Sequence, residues 1–367
     1  MCDHFGSAKV TKRRKFVETV VVGSVHRKLL IHIGYHKTGT TWLQTQLFPN
    51  EALGLGQVGR EFVRRNLIAK RPLEFSAQNC SELLEPEIEK LESRGLHAVV
   101  SHEALSGNPY SGGYQSKEMA DRLAATFPYA RILIVVREQR AMIQSSYQQY
   151  VKLGGRAGIE EFIFPPGRWS SRIPLFSLEN FKYHLLAQYY QRLFGASNVL
   201  VVPYELFVSE PVEFVTLVLK FAGLNPDCHC VCRLPLTEKC NVTPPWFSLE
   251  VKRRLNFLYP ISKHHRLETT SVWERRRREF VDEISGLVGR LVPKAWQDKL
   301  KQEQSDWIDR TVGNMYMESN EMLATICGID LRRFGYRMPV HAMESQLAGG
   351  IGLRRDPVHS GSRGYDP

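Results

Sequence analysis

The stretch Leu29-Leu30-Ile31-His32-Ile33-Gly34-Tyr35-His36-Lys37-Thr38-Gly39-Thr40-Thr41-Trp42-Leu43 decides how this chain is read. An apolar run enters a glycine-bounded loop, and the loop opens a helix carrying two threonines and a tryptophan. Backbone N–H groups at a helix N-terminus, uncrowded by side chains, cradle phosphate-like anions. Gly34 and Gly39 enclose four residues, as in a nucleoside-triphosphate loop. That loop requires lysine directly after its second glycine. Thr40 stands there instead, and the lysine comes two residues before the glycine, as Lys37. The cradle is present without its triphosphate-binding form.

A second run lies about a hundred residues on. Arg131-Ile132-Leu133-Ile134-Val135-Val136-Arg137 is β-branched or Leu between charges, the pattern of a buried parallel strand. Beyond it, Ile143, Tyr147, Tyr150 and Val151 keep a helical spacing. Arg137 therefore falls at the carboxyl end of a strand, where open α/β sheets bind ligands. A guanidinium fork matches two phosphate oxygens. Ser145 lies eight residues later, off the apolar stripe of the helix.

Lys37-x-Gly39-Thr40-Thr41-Trp42 resembles the 5′-phosphosulfate loop of sulfotransferases that use 3′-phosphoadenosine 5′-phosphosulfate (PAPS). Arg137 and Ser145 stand at the spacing with which that family reads the 3′-phosphate. The resemblance is strongest over residues 28–223 and fits the soluble bacterial type better than the cytosolic animal type. It implies an α/β fold: a P-loop-like three-layer sandwich with a central, mostly parallel sheet flanked by helices. It assigns Lys37, Thr38, Gly39, Thr40, Thr41, Trp42, Arg137 and Ser145 to the nucleotide. Within that set, Lys37 stabilises the departing phosphate and Trp42 faces adenine.

Between the two motifs, Leu96-His97-Ala98-Val99-Val100-Ser101-His102-Glu103 reads as a strand ending in titratable groups. The cytosolic enzymes place a catalytic histidine here, matching His102. Bacterial relatives place Ser-x-Glu, matching Ser101 and Glu103. In-line transfer needs one base to take the proton of an attacking hydroxyl or amine. Neutral imidazole suits that near pH 7, so His102 is preferred over Glu103. Adjacent residues on an extended strand point to opposite faces, so only one of the two should face the reacting group. His36 has no assigned role and reads as a surface histidine.

The rest of the chain is organised around this core. Residues 1–27 form an N-terminal extension, 28–338 the sulfotransferase domain and 339–367 a disordered tail. Helices are expected over 178–194, 211–223, 245–258, 272–291 and 302–327, with a strand beginning near Ser197. The glycine-, proline- and aromatic-rich segment 154–177 suggests a lid over the acceptor. The cytosolic family's late basic loop has no clear counterpart; Lys252-Arg253-Arg254 is the nearest.

A net charge of +11 and a pI near 9.3 suit anionic ligands. The basic residues are dispersed, which argues against nucleic acid. Cys228, Cys230, Cys232 and Cys240 alternate on what reads as an extended segment and lack knuckle spacing, so no metal is expected. Seven cysteines, an odd number, and no stretch long enough for a membrane span point to a cytoplasmic protein. The expected activity is sulfuryl transfer from PAPS, without metal, to a small-molecule or carbohydrate acceptor. An inactive nucleotide-binding protein of the same fold is the alternative. A P-loop kinase would need lysine after Gly39 and a metal-holding Asp where Arg137 stands.

Overall fold

The computed structural model describes residues 29–165, 176–225, 228–236, 245–258 and 272–339. Five strands form one sheet: β1 Leu29–His32, β2 Leu55–Gln57, β3 His97–Ser101, β4 Arg131–Val136 and β5 Val199–Pro203. Their order is β2-β3-β1-β4-β5, and every neighbouring pair is parallel. The carboxyl ends of all five strands therefore share one edge, with β1 at the centre. From β1 the chain runs outward to β2, returns through β3 and crosses to β4. That reversal is where α/β sheets hold ligands.

Before β4 lie α1 Thr40–Trp42, continued by a wider π turn over Leu43–Leu47, then α2 Arg60–Val63, α3 Ala77–Glu92 and α4 Ser116–Thr126. After β4 come α5 Gln139–Lys152, α6 Ile159–Ile163 and α7 Tyr183–Phe194; after β5, α8 Tyr204–Ser209, α9 Pro211–Ala222 and α10 Cys228–Cys232. The C-terminal part holds α11 Trp246–Leu255, α12 Val272–Leu291, α13 Lys294–Val312 and α14 Met317–Cys327.

Strand alternation builds three layers. Ile31, Val100, Ile132, Ile134 and Val201 enter one core with α3, α4, α5, α7 and α14. Leu30, Val99, Leu133, Val135 and Val202 enter the other with α1, α8 and α9. Period-two side chains on a sheet covered on both faces must divide this way.

Several boundaries differ from the sequence reading. The helix expected over 302–327 is two helices: α13 starts at Lys294, and Gly313, at φ 47°, separates it from α14. The helix expected from Leu178 begins with a 3₁₀ turn over Leu178–Phe181, and Lys182 (φ −77°, ψ 69°) leaves helical geometry before α7. The 228–232 segment is helical, not extended; the Cys228 side chain and Cys240 lie outside the described residues. So do residues 1–28, 340–367 and 166–175, the middle of the expected lid. At the lid's flanks, Phe162 and Phe176 are buried with ring centroids 4.4 Å apart.

Candidate active site

The β1 loop is strained at the lysine that the sequence singles out. Lys37 has φ +70°, the single non-glycine positive φ among the described residues. A left-handed lysine costs on the order of 1 kcal/mol and persists only where the surroundings enforce it. Here the enforcement is visible. Arg137 Nη1 donates to the Lys37 carbonyl at 3.1 Å, and Thr38 Oγ1 donates to the Tyr35 carbonyl at 2.6 Å. Gly39, at φ +76°, caps α1, and a Cβ there would sit 3.0 Å from the Tyr204 ring. Only glycine satisfies both the angle and the contact. The Thr40 hydroxyl lies 3.5 Å from the same Tyr35 carbonyl, and Thr41 is exposed.

Trp42 was expected to face adenine. It is 2% exposed, tilted against Phe207 at 4.7 Å, with its indole N–H donating to the Pro235 carbonyl. It packs as a core aromatic.

β4 ends beside this loop. The Arg137 guanidinium stands 5.3 Å from the Tyr204 ring centroid. Glu138 caps α5 through the Arg140 and Ala141 N–H groups, and Glu205 Oε1 accepts the Glu138 N–H at 3.0 Å. Along α5, Ser145, Gln149 and Lys152 occur at i, i+4 and i+7, which places them on one face. Gln149 Oε1 accepts from Lys37 Nζ at 2.7 Å, so this face is turned toward the β1 loop. The sequence reading picked Ser145 and missed Gln149 and Lys152, although the same helical period reaches them.

Three cations converge there. Burial, then Lys152 and Arg137, push the Lys37 ammonium down to about 8. Lys152 is lowered by burial and by Lys252. In both, burial and neighbouring like charge prevail over any stabilisation of the charged form. The basic residues considered for a late phosphate contact are engaged elsewhere: Lys252 with Asp282, Arg253 and Arg254 with Glu250.

On the other side of β1, β3 stops at Ser101. Glu103 opens a 3₁₀ turn, so the expectation that His102 and Glu103 point to opposite faces fails. Their side chains meet at 3.8 Å. His102 Nδ1 accepts the Ala104 N–H at 3.1 Å, which leaves Nε2 as the open ring position. Arg60 Nη2 donates to Glu103 at 3.0 Å. Burial lowers His102 against the raising effect of Glu103. For Glu103, burial raises the carboxyl, but its own backbone N–H, His102 and Arg60 outweigh that and hold it below the usual value. Both groups are unprotonated at neutral pH.

His36 belongs to this cluster and is not a surface histidine. Its Nδ1 is sealed without a hydrogen-bond partner, and burial lowers the ring to about 4, against Glu103. Beneath it His32 is fully buried, its Nδ1 2.8 Å from Ser101 Oγ, which also accepts from Gln44.

Among the described residues no three His, Cys, Asp or Glu side chains are grouped to hold a metal, and no helix is long and apolar enough to cross a membrane.

Residues 114–227 match the sulfotransferase family. The match includes β4, Arg137, Ser145 and the whole of α5 and stops short of the β1 loop. Among solved structures, a sulfotransferase from Alicyclobacillus acidocaldarius is 18% identical and covers 63% of this chain and 95% of its own, at a TM-score of 0.43. A retinol dehydratase solved with androsterone and the inactive cofactor PAP is 14% identical, covering 78% of this chain and 81% of its own, at 0.32. No curated protein matches. The family assignment therefore rests on residues 114–227, the segment that carries Arg137 and α5.

Proposed function

We propose that the protein transfers the sulfuryl group of PAPS to a hydroxyl or amine acceptor. The observation that carries this reading is the meeting of Lys37, Arg137 and the Ser145–Gln149 face where β1 and β4 end. The donor set fits a doubly anionic nucleotide: two cations and a hydroxyl, around a loop whose backbone is held open by Gly39. Bound there, PAPS supplies an activated sulfuryl group.

Each residue then has one task. Arg137 and Ser145 hold the 3′-phosphate, while Thr38, Thr40, Thr41 and the loop N–H groups hold the 5′-phosphate. Lys37 leaves Gln149 and neutralises charge growing on the oxygen that departs with the phosphate. The His102–Glu103 pair takes the proton of the acceptor. Sulfuryl transfer, like phosphoryl transfer, draws mainly on positioning and electrostatics. Residues 28–338 form the catalytic domain.

The direct test is thermal shift with adenosine 3′,5′-bisphosphate (PAP) beside ATP and Mg²⁺. Ligand at ~100 times its dissociation constant adds about 2.7 kcal/mol of stability. A rise with the bisphosphate, weakened about ten- to hundredfold in affinity by Arg137→Ala, supports the reading. A rise with ATP and Mg²⁺ alone overturns it. Binding of the bisphosphate without turnover on any acceptor would favour an inactive binder.

A further inference from the structure

One cation of the site has no task in the reaction just described. Lys152 lies on the loop-facing side of α5, one turn beyond the Gln149 that holds Lys37. It is half-buried, and no carboxylate among the described residues pairs with it. On the helices packed against α5, Glu250 of α11 is committed to Arg253 and Arg254, and Asp309 of α13 to Arg140 and Arg337; Asp282 of α12, behind α11, pairs with Lys252.

Its position along the helix is informative. Ser145, near the start of α5, stands on the Arg137 side, where the 3′-phosphate is assigned. Gln149 marks the reaction centre through Lys37. Lys152 lies one turn past that centre along α5, at the end of the helix opposite Arg137. Both Lys152 and Arg137 are close enough to disfavour the charge on Lys37. Desolvating a lone ammonium costs free energy that folding alone does not return. An anion arriving with the second substrate would return it.

We propose that Lys152 recognises an anionic group on the acceptor, so that the preferred acceptors are acidic small molecules or sugars bearing a carboxylate, sulfate or phosphate beside the reacting hydroxyl or amine. This rests on the PAPS reading above and extends it to the second substrate. It also gives the basic balance of the chain, +11, a use beyond the nucleotide.

The test uses the full chain saturated with PAP. Two matched pairs are titrated calorimetrically against wild type, Lys152→Gln and Lys152→Arg: glucuronate with glucose, and 4-hydroxyphenylacetate with 4-hydroxyphenylacetamide. In at least one pair the anionic member should bind about tenfold more tightly, the worth of one charge-assisted contact. That preference should vanish in Lys152→Gln, return in Lys152→Arg, and leave bisphosphate affinity within about twofold of wild type. No preference in either pair, or one that survives Lys152→Gln, overturns the proposal. Bisphosphate affinity falling tenfold in Lys152→Gln overturns it too, by assigning Lys152 to the phosphosulfate. Wild type that binds no bisphosphate removes the PAPS reading itself, and that failure is visible before any acceptor is added.

Discussion

The two strand ends that flank the β1 loop are built differently. At the end of β4 the chain enters a fourteen-residue helix, and Ser145, Gln149 and Lys152 fall on one face by period alone. At the end of β3 it enters a 3₁₀ turn, where Arg60 donates to Glu103 and His102 accepts the Ala104 N–H 3.8 Å from Glu103, an arrangement set by individual contacts rather than by period. The first arrangement is a row of polar and cationic side chains set by secondary structure, to which the proposed function assigns anion binding. The second is a small polar cluster whose geometry depends on each of its bonds. Anion binding tolerates the first kind of construction well, since phosphate oxygens offer several lone pairs. Proton transfer needs one atom in one place. The helix side should therefore govern affinity, and the loop and turn should govern rate.

Lys37→Met is the strongest attempt to break that division. It removes a cation held by the helix, through Gln149, but tasked with leaving-group charge. Turnover should fall about 10²–10³-fold, the cost of removing one preorganised donor from a developing oxyanion. Affinity for PAP should change far less than in Arg137→Ala. If Lys37→Met instead weakens binding as much as Arg137→Ala does, with turnover preserved, the loop and the helix are one binding unit and the comparison fails.

The pH profile sharpens the same contrast. Lys37 acts as a cation, and burial with Lys152 and Arg137 brings it down to about 8 in the free protein. The active form is therefore full below that value and is lost as pH rises through it. kcat/KM should decline about tenfold per pH unit above roughly 8, well below the usual lysine range. A flat alkaline limb up to pH 10 would mean that the Lys37 charge is not used.

How much of this was legible beforehand follows the same line. The sheet, the β4 strand and α5 were readable because apolar period and strand length report burial directly. Arg137 and Ser145 came with them. The relation of His102 to Glu103 was misread: extended alternation separates neighbours, and the chain leaves that geometry at Glu103. The pairing with Arg60 spans 43 positions and has no local signature. His36 was misplaced because nothing in its own segment shows that its Nδ1 is buried or that Glu103, far along the chain, acts on it. Trp42 was read from the family position, whereas Phe207 and Pro235, both distant in sequence, occupy its surroundings.

Arg60→Ala tests the turn side alone. Arg60 depresses both Glu103 and His102. Its removal should raise both, so the acid limb of kcat/KM moves to higher pH. The pair is partly exposed, so the shift should stay under about one pH unit. The alkaline limb and PAP affinity should be unchanged. Movement of both limbs together would tie the turn to Lys37 and dissolve the distinction between the two strand ends.

The smallest effect tests how the helix side is held from behind. Tyr336 donates to Glu205 Oε2 at 3.2 Å, and Glu205 Oε1 accepts the Glu138 N–H that begins α5. Arg140 reaches the neighbouring Gly335 carbonyl at 2.7 Å, so the last described segment straps the β4–α5 turn in place. Burial raises the Glu205 carboxyl, so a lost donor leaves that group less well compensated. Tyr336→Phe removes one hydroxyl at constant ring volume. It should cost about 1 kcal/mol, a drop of roughly 2 °C in melting temperature, with a small loss of PAP affinity. The acid limb that reports the His102–Glu103 cluster should not move, because the Tyr336 hydroxyl bonds to Glu205 on the β4–α5 side. An acid-limb shift without loss of affinity would instead show that the strap reaches across the sheet edge to the turn.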